Sequence, residues 1–167
     1  MKLFLVYLGG SATGANIELH DVRFVVGNSI EDTYDQLRSQ WFGEQKGLHI
    51  DSYMQVSAID GFDISLQKTP SDGEQKLFFV NLGGYLPEYI AEQHAFTLCV
   101  APSATAAKSR AKQQLLNQVQ HQHKDNLLEL DNCFAIAQLQ GWYIHLAGGG
   151  RHQEMRPDWS GYNVIGH

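Results

Sequence analysis

The sequence of 167 residues has only two cysteines and four prolines, and it contains no long apolar run. The cysteines, Cys99 and Cys133, are too few for a disulfide framework and lack the spacing of metal ligands. A transmembrane helix needs about 18 consecutive apolar residues, and no stretch reaches that length, so we expect no membrane partner. The ordinary proline and glycine counts also exclude a collagen-like or low-complexity chain.

Charged residues are scarce too, at 18% of the chain with a net charge of −6. An acidic balance of this kind disfavours a surface for polyanions, so we expect no nucleic-acid partner. The hydrophobic content of 43% and aromatic content of 11% instead indicate a globular domain with a true core. The apolar start at residues 3–8 is too short and too aromatic for a signal peptide. We therefore expect a cytoplasmic protein with reduced thiols.

An internal repeat is the strongest signal in the sequence. The segment KLFLVYLGG at residues 2–10 returns as KLFFVNLGG at residues 76–84. Matches kept in register over such a length are poorly explained by chance, so the chain carries a duplicated unit. Further matching pairs are Glu18 and Glu92, His20 and His94, Asp51 and Asp131, Gly61 and Gly141, Ile64 and Ile144, and Leu66 and Leu146.

Each copy predicts two strands, a helix and two more strands. In the first copy the strands are expected at residues 3–8, 18–26, 48–59 and 62–66, with Gly9 and Gly10 forming a tight turn. Ser29 is expected to cap the helix, and Asp60 with Gly61 is a hairpin signature. In the second copy Gln140 with Gly141 is expected to form the last hairpin. The fold class is thus α+β: a duplicated ββαββ unit with pseudo-twofold symmetry, one helix per repeat and mostly antiparallel sheet.

The same pattern sets the expected domain limits. The first repeat spans residues 1–67, a turn-rich linker spans 68–75, and the second repeat spans 76–147, where Ser103 caps the helix. Residues 148–167 form a glycine-rich hinge and an aromatic tail. Because such aromatic content is costly to leave in water, we expect the tail to pack back on the body.

Several of these segments resemble a known bacterial family. They are the Leu-Gly-Gly after the first strand, ELHD at residues 18–21, LHID at 48–51, DGF at 60–62 and WSGY at 159–162. The chain is similar to the family described as domain of unknown function 1543, in which the domain occurs in one or two copies. The second repeat departs from the pattern, with Ala95 in the place of Asp21 and Glu129 in the place of His49. The resemblance implies a fold and no established activity.

The duplicated pair of Glu18 with His20, and of Glu92 with His94, is the most informative local feature. Residues two apart on a strand share a face, so each carboxylate lies near its imidazole, on the expected core side. Structural pairing remains one explanation. Our leading hypothesis is a non-catalytic binding or regulatory module that holds a small polar ligand between the repeats. The residues expected to contact it are Glu18, His20, Glu92, His94, Arg151 and Trp159.

A metal-dependent hydrolase is the second hypothesis. His49 and Asp51 share a face and could join Asp21 in an acidic, metal-competent cluster of the first repeat, although a solvated polar face explains the same pattern. The expected metal set is Glu18, His20, Asp21, His49 and Asp51. No cofactor can be named from the sequence, and we favour a protein without catalytic activity.

A third hypothesis is an assembly protein without a ligand, whose exposed strand edges pair in a homodimer. Other motifs add little. Neither glycine pair leads directly into a helix, as a phosphate-binding loop requires. His121 and His123 lie two apart in a helical segment and therefore do not share a face.

Overall fold

The structure is a computed structural model, and it describes residues 1–85, 88–118, 127–150 and 152–167. The fold is α+β, with mostly antiparallel sheets and two helices, α1 (Tyr34–Gln40) and α2 (Ala104–Gln118). The strands are β1 (Lys2–Gly10), β2 (Leu19–Gly27), β3 (His49–Gln55), β4 (Ala58–Ile59), β5 (Phe62–Gln67), β6 (Lys76–Gly84), β7 (Gln93–Ala101), β8 (Leu127–Ala135), β9 (Gln138–Leu139), β10 (Trp142–Gly148) and β11 (Trp159–Val164).

The strands form three sheets. The first has the order β11-β3-β1-β2, and the third has the order β7-β6-β8. The repeated apolar segments are the strands β1 and β6, which lie inside these sheets and are buried on both faces. A strand that is buried on both faces has apolar residues at successive positions. For this reason neither segment alternates between apolar and polar residues.

The last strands of the two repeats meet in the second sheet, whose order is β4-β5-β10-β9. There β5 pairs with β10 in an antiparallel register. Ile64 lies opposite Leu146, and Leu66 lies opposite Ile144. Ile64 matches Ile144 and Leu66 matches Leu146 in the duplicated sequence. Each repeat therefore contributes the same two equivalent positions to the contact between β5 and β10.

One core lies between the two repeats. It is formed by the inner faces of the first and third sheets, including Leu5 and Phe79, together with apolar side chains of the second sheet such as Ile59 and Ile144. The outer face of the first sheet packs against α1, and the outer face of the third packs against α2. Burial of apolar side chains on both faces of the first and third sheets is the main stabilising term.

Three local expectations need correction. The strand expected at residues 48–59 is two strands, β3 and β4, so the exact ββαββ pattern is not what the structure has. Gly9 and Gly10 end strand β1 rather than forming a turn. The helical segment of the first repeat has no side-chain cap from Ser29: it begins with a 3-10 turn, and the Asp32 carboxylate accepts the N–H groups of Asn28 and Ser29.

Other turn and cap signals are confirmed. Asp60 and Gly61 have φ of 52° and 82°, and Gln140 and Gly141 have φ of 46° and 75°, as a two-residue hairpin of type I′ requires. In the second repeat the Ser103 hydroxyl accepts the Ala106 N–H at 3.2 Å, which caps α2.

The tail joins the body through a strand and a buried side chain. Strand β11 pairs antiparallel with β3, and Ile165 is buried against the α1 side of the first sheet. Among the described residues, no helix is long and apolar enough to cross a membrane.

Candidate functional site

Four polar side chains of the first repeat converge around Gly9. In the strand register Gly9 lies opposite His20 of β2 and opposite His49 of β3. Residues directly opposite each other in antiparallel strands point to the same face, so the two imidazoles flank the glycine. A β-bulge between the two register segments of β3 leaves Asp51 unpaired beside them. Glu18, just before β2, completes the group.

The four side chains form a closed ring of contacts. His49 Nε2 lies 3.2 Å from Glu18 Oε1 and 3.2 Å from Asp51 Oδ1. His20 Nε2 lies 3.6 Å from Glu18 Oε2 and 3.3 Å from Asp51 Oδ2. Each carboxylate therefore presents one oxygen to each imidazole. We call these four residues the Gly9 cluster.

Burial and hydrogen bonding divide the cluster into two parts. His49 is 1% exposed, and its Nδ1 lies 2.8 Å from the Gly47 carbonyl oxygen. Its Nε2 and the Oδ2 atom of Asp51 are buried and make no hydrogen bond of acceptable geometry. Glu18 and His20 lie nearer to solvent.

Two tyrosines enclose the cluster. The Tyr7 ring stacks on His20 with 5.3 Å between centroids, and the Tyr162 ring of the tail covers His49 at 4.0 Å. Burial, followed by the negative charges of Asp51 and Asp21, raises the pKa of the Tyr7 phenol. Tyr7 therefore stays protonated at neutral pH and can act as a neutral hydrogen-bonding group at this edge.

Asp21 does not join the cluster. Its carboxylate lies 2.6 Å from the Arg23 guanidinium and accepts the Val22 N–H at 2.7 Å. Alternation along β2 puts Asp21 on the face opposite His20, whereas His49 and Asp51 lie on the face of His20. The structure thus brings together four of the five residues of the expected metal set, in a combination that alternation within one strand could not predict.

The second repeat has a different residue set at the equivalent place. His94 Nε2 lies 3.7 Å from Glu92 Oε2, so the duplicated pair is in contact here too. Gly83 lies opposite His94 and opposite Glu129 in the strand register. Glu129 takes the position that His49 has in the first repeat, so this copy has one imidazole fewer.

A cleft of about 550 Å³ lies between the repeats. It brings His20 of the first repeat and His94 of the second to one cavity. Its remaining lining combines aromatic rings with amide and charged groups: Tyr7, Asp21, Val22, Arg23, Phe79, Asn81, Phe96, Asn132 and Phe134. In the described part of the chain, no group of three or more His, Cys, Asp or Glu side chains already has a metal-holding arrangement.

The structure does not bring every expected ligand contact to this cleft. Trp159 stacks on Tyr53 with 5.9 Å between centroids, and it is not among the described residues that line the cleft. Arg151, His121 and His123 lie outside the described residues. Sequence reasoning also missed Gly9, Tyr7 and Tyr162. The repeated Gly-Gly at the end of a buried strand was the signal for Gly9, because a glycine there marks a close approach.

Comparison of this chain with known protein families agrees with its two-copy sequence. The sequence profile of the Domain of Unknown Function (DUF1543) matches residues 15–66 and 90–146, one region in each repeat. The chain belongs to the DUF1543 family. Among solved structures it is similar to the crystal structure of protein Il1583 from Idiomarina loihiensis. That match has 41% identity, covers 99% of each chain and has a TM-score of 0.80. No curated protein matches this DUF1543 chain.

Proposed function

We propose that this DUF1543 protein is a binding or regulatory module that holds a small polar ligand in the cleft between its repeats. The observation that carries the proposal is that His20 and His94, equivalent residues of the two copies, line the same cavity. The repeats are taken as residues 1–67 and 76–147, joined by the linker 68–75 and followed by the tail 148–167. Free thiols at Cys99 and Cys133 agree with a cytoplasmic location.

A pseudo-twofold relation between the repeats supports this assignment. The reciprocal register of β5 and β10 is the one that a twofold axis between those strands would give. Such an axis carries His20 toward the position of His94, and the shared cavity agrees with that relation. A site built by both copies gives the duplicated histidines one shared role, while Glu18 and Glu92 are not among the described residues that line the cleft.

The lining favours a ligand that combines an anionic group with a planar or apolar part. His20, Arg23 and the amides of Asn81 and Asn132 offer hydrogen-bond donors. Phe96 stacks on Tyr7 at 6.1 Å, so one wall of the cleft is aromatic. Concave sites with apolar walls and a few convergent polar groups are typical of small-molecule binding.

The test uses full-length protein, native mass spectrometry and two probes. The natively purified protein should carry a retained mass, or its melting temperature should rise with 4-hydroxybenzoate or inorganic phosphate. His94→Leu and the double variant His20→Leu with His94→Leu should remain folded and lose this response. His167→Leu, an exposed histidine away from the cleft lining, is the matched control and should behave as the parent protein.

Two results would contradict the proposal. One is a parent protein with no retained mass and no response to either probe. The other is a double variant that is folded, or even more stable, with unchanged binding. In that case His20 and His94 would not form a ligand site.

A further inference from the structure

We propose that the Gly9 cluster, formed by Glu18, His20, His49 and Asp51, is a binding site for one divalent cation of the zinc class. The site lies beside the ligand cleft and shares His20 with it. His49 and Asp51, the other histidine and the aspartate of the cluster, do not line the cleft.

The hydrogen bond of His49 indicates its tautomer. A backbone carbonyl can only accept a hydrogen bond, so Nδ1, at 2.8 Å from the Gly47 oxygen, carries a proton. In the neutral imidazole Nε2 then has a free lone pair. This lone pair is buried and faces two carboxylate oxygens at 3.2 Å. A lone pair that faces an anion is repelled by it, and a cation bound between these atoms would remove the repulsion.

An imidazole whose Nδ1–H is hydrogen-bonded in this way can bind a metal ion through Nε2. Histidines that bind metals usually donate the other ring N–H to a carbonyl or a carboxylate, which fixes the tautomer and the ring orientation. His49 has that outer hydrogen bond and leaves Nε2 for the ion. The buried Oδ2 of Asp51 also lacks a hydrogen-bond partner. A cation would satisfy both atoms at once, without the cost of leaving them unpaired.

The four side chains do not hold an ion in their present arrangement, but they lie close enough to reach one if the carboxylates turn. Neighbouring ligand atoms of a tetrahedral zinc site, with bonds of about 2.0–2.2 Å, lie about 3.3–3.6 Å apart. The four N···O distances of the cluster range from 3.2 to 3.6 Å, and they involve both oxygens of each carboxylate. Each carboxylate now divides its oxygens between the imidazoles, so a small rotation of Glu18 and Asp51 would turn one oxygen of each to the ion. Two imidazoles with two carboxylates suit zinc better than calcium or magnesium.

The backbone at Gly9 leaves room for the side chains of His49 and Asp51. A Cβ atom at Gly9 would overlap His49 Nε2 and lie 2.9 Å from Asp51 Oδ2. The second repeat has Glu129 where the first has His49, so its residue set lacks the buried imidazole. One ion per chain is therefore expected, bound by the first repeat.

The experiment titrates zinc chloride into chelator-stripped, full-length protein at neutral pH by calorimetry, and follows cobalt(II) binding by its visible spectrum. We expect one site per chain, with the intense bands of tetrahedral cobalt. His20→Gln and His49→Gln should each weaken zinc binding at least 100-fold, roughly the upper loss seen for outer-shell partners. His94→Gln, the equivalent histidine of the second repeat, is the matched control and should keep the parent affinity.

His20→Gln keeps the test valid if His49→Gln does not fold, because His20 is 36% exposed. Failure to bind zinc and cobalt, or parent affinity in His20→Gln, would overturn the proposal. His94→Leu distinguishes this proposal from the ligand proposal. If both hold, the variant loses ligand binding and keeps zinc binding.

Discussion

Gly9 and His49 face each other across β1 and β3, and no Cβ atom fits between them. The variant Gly9→Ala should therefore displace His49 and destabilise the protein by about 1–3 kcal/mol, the usual cost of overpacking a filled site. Urea unfolding measures this change. The same variant should lose the zinc response of the Gly9 cluster.

A matched glycine variant separates crowding from the general effect of alanine. Gly73 lies in the linker, and a Cβ atom there would approach no atom closer than 3.4 Å. Gly73→Ala should change the free energy of unfolding by less than about 0.5 kcal/mol. Equal effects of the two variants would show that the contact at Gly9 has no special cost.

Asp60 holds the first repeat to the second. Its carboxylate accepts the Val100 N–H at 2.8 Å, lies 3.5 Å from Arg110 and is buried. Asp60→Ala should cost about 2 kcal/mol, because a buried N–H loses its acceptor. Asp60→Asn should cost less, since it keeps an acceptor oxygen and tolerates the φ of 52°. Thermal unfolding gives the order, and a larger loss in Asp60→Asn would refute this role.

Cys99 should be inert in the folded protein. It is fully buried, and burial followed by the charge of Asp60 raises its pKa to about 12. A Cys133→Ser variant isolates this thiol, which should react with a disulfide reagent at pH 8 only after unfolding. Rapid reaction under native conditions would contradict the burial.

The same pKa gives a pH dependence with a definite sign. The thiol is harder to deprotonate in the folded protein, so its contribution to stability is complete below the ordinary thiol pKa near 9. Stability should fall as the pH rises from about 9 toward 12. A Cys99→Ala variant should show a smaller fall over that range in urea unfolding curves.

The tail is held by a buried isoleucine. The Ile165 N–H donates to the Leu48 oxygen at 2.9 Å, and its carbonyl accepts Arg38 Nη1 at 2.7 Å. Ile165→Ala should destabilise the protein by about 2–4 kcal/mol through the cavity it leaves. Val164→Ala, at a residue that is 52% exposed, should cost less than about 0.5 kcal/mol. Similar losses would show that the tail is loosely attached.

The sequence predicted the parts of the fold that depend on local pattern. The repeat, the hairpins at Asp60 and Gln140 and the cap at Ser103 are visible because each needs a residue type at a fixed spacing. The split of residues 48–59 into β3 and β4 was missed. It arises because β4 leaves the first sheet to pair with β5, and the choice between sheets is a tertiary effect.

The candidate site shows the same division. The pairing of Glu18 with His20 follows from strand alternation, and so does the shared face of His49 and Asp51. The sequence could not predict that these two pairs lie next to each other. Their contact depends on the register of β2 and β3 across Gly9 and on a bulge at Asp51. Local patterns fix the face of a strand, whereas the register between strands decides which residues meet.

The most direct test of a ligand site built by both repeats follows the imidazole signals of His20 and His94 by nuclear magnetic resonance during titration with 4-hydroxybenzoate. If one ligand lies between the repeats, both signals shift together and fit a single dissociation constant, while the signal of His167 stays in place. Shifts at one of the two histidines alone, or at neither, would contradict a site shared by the two copies.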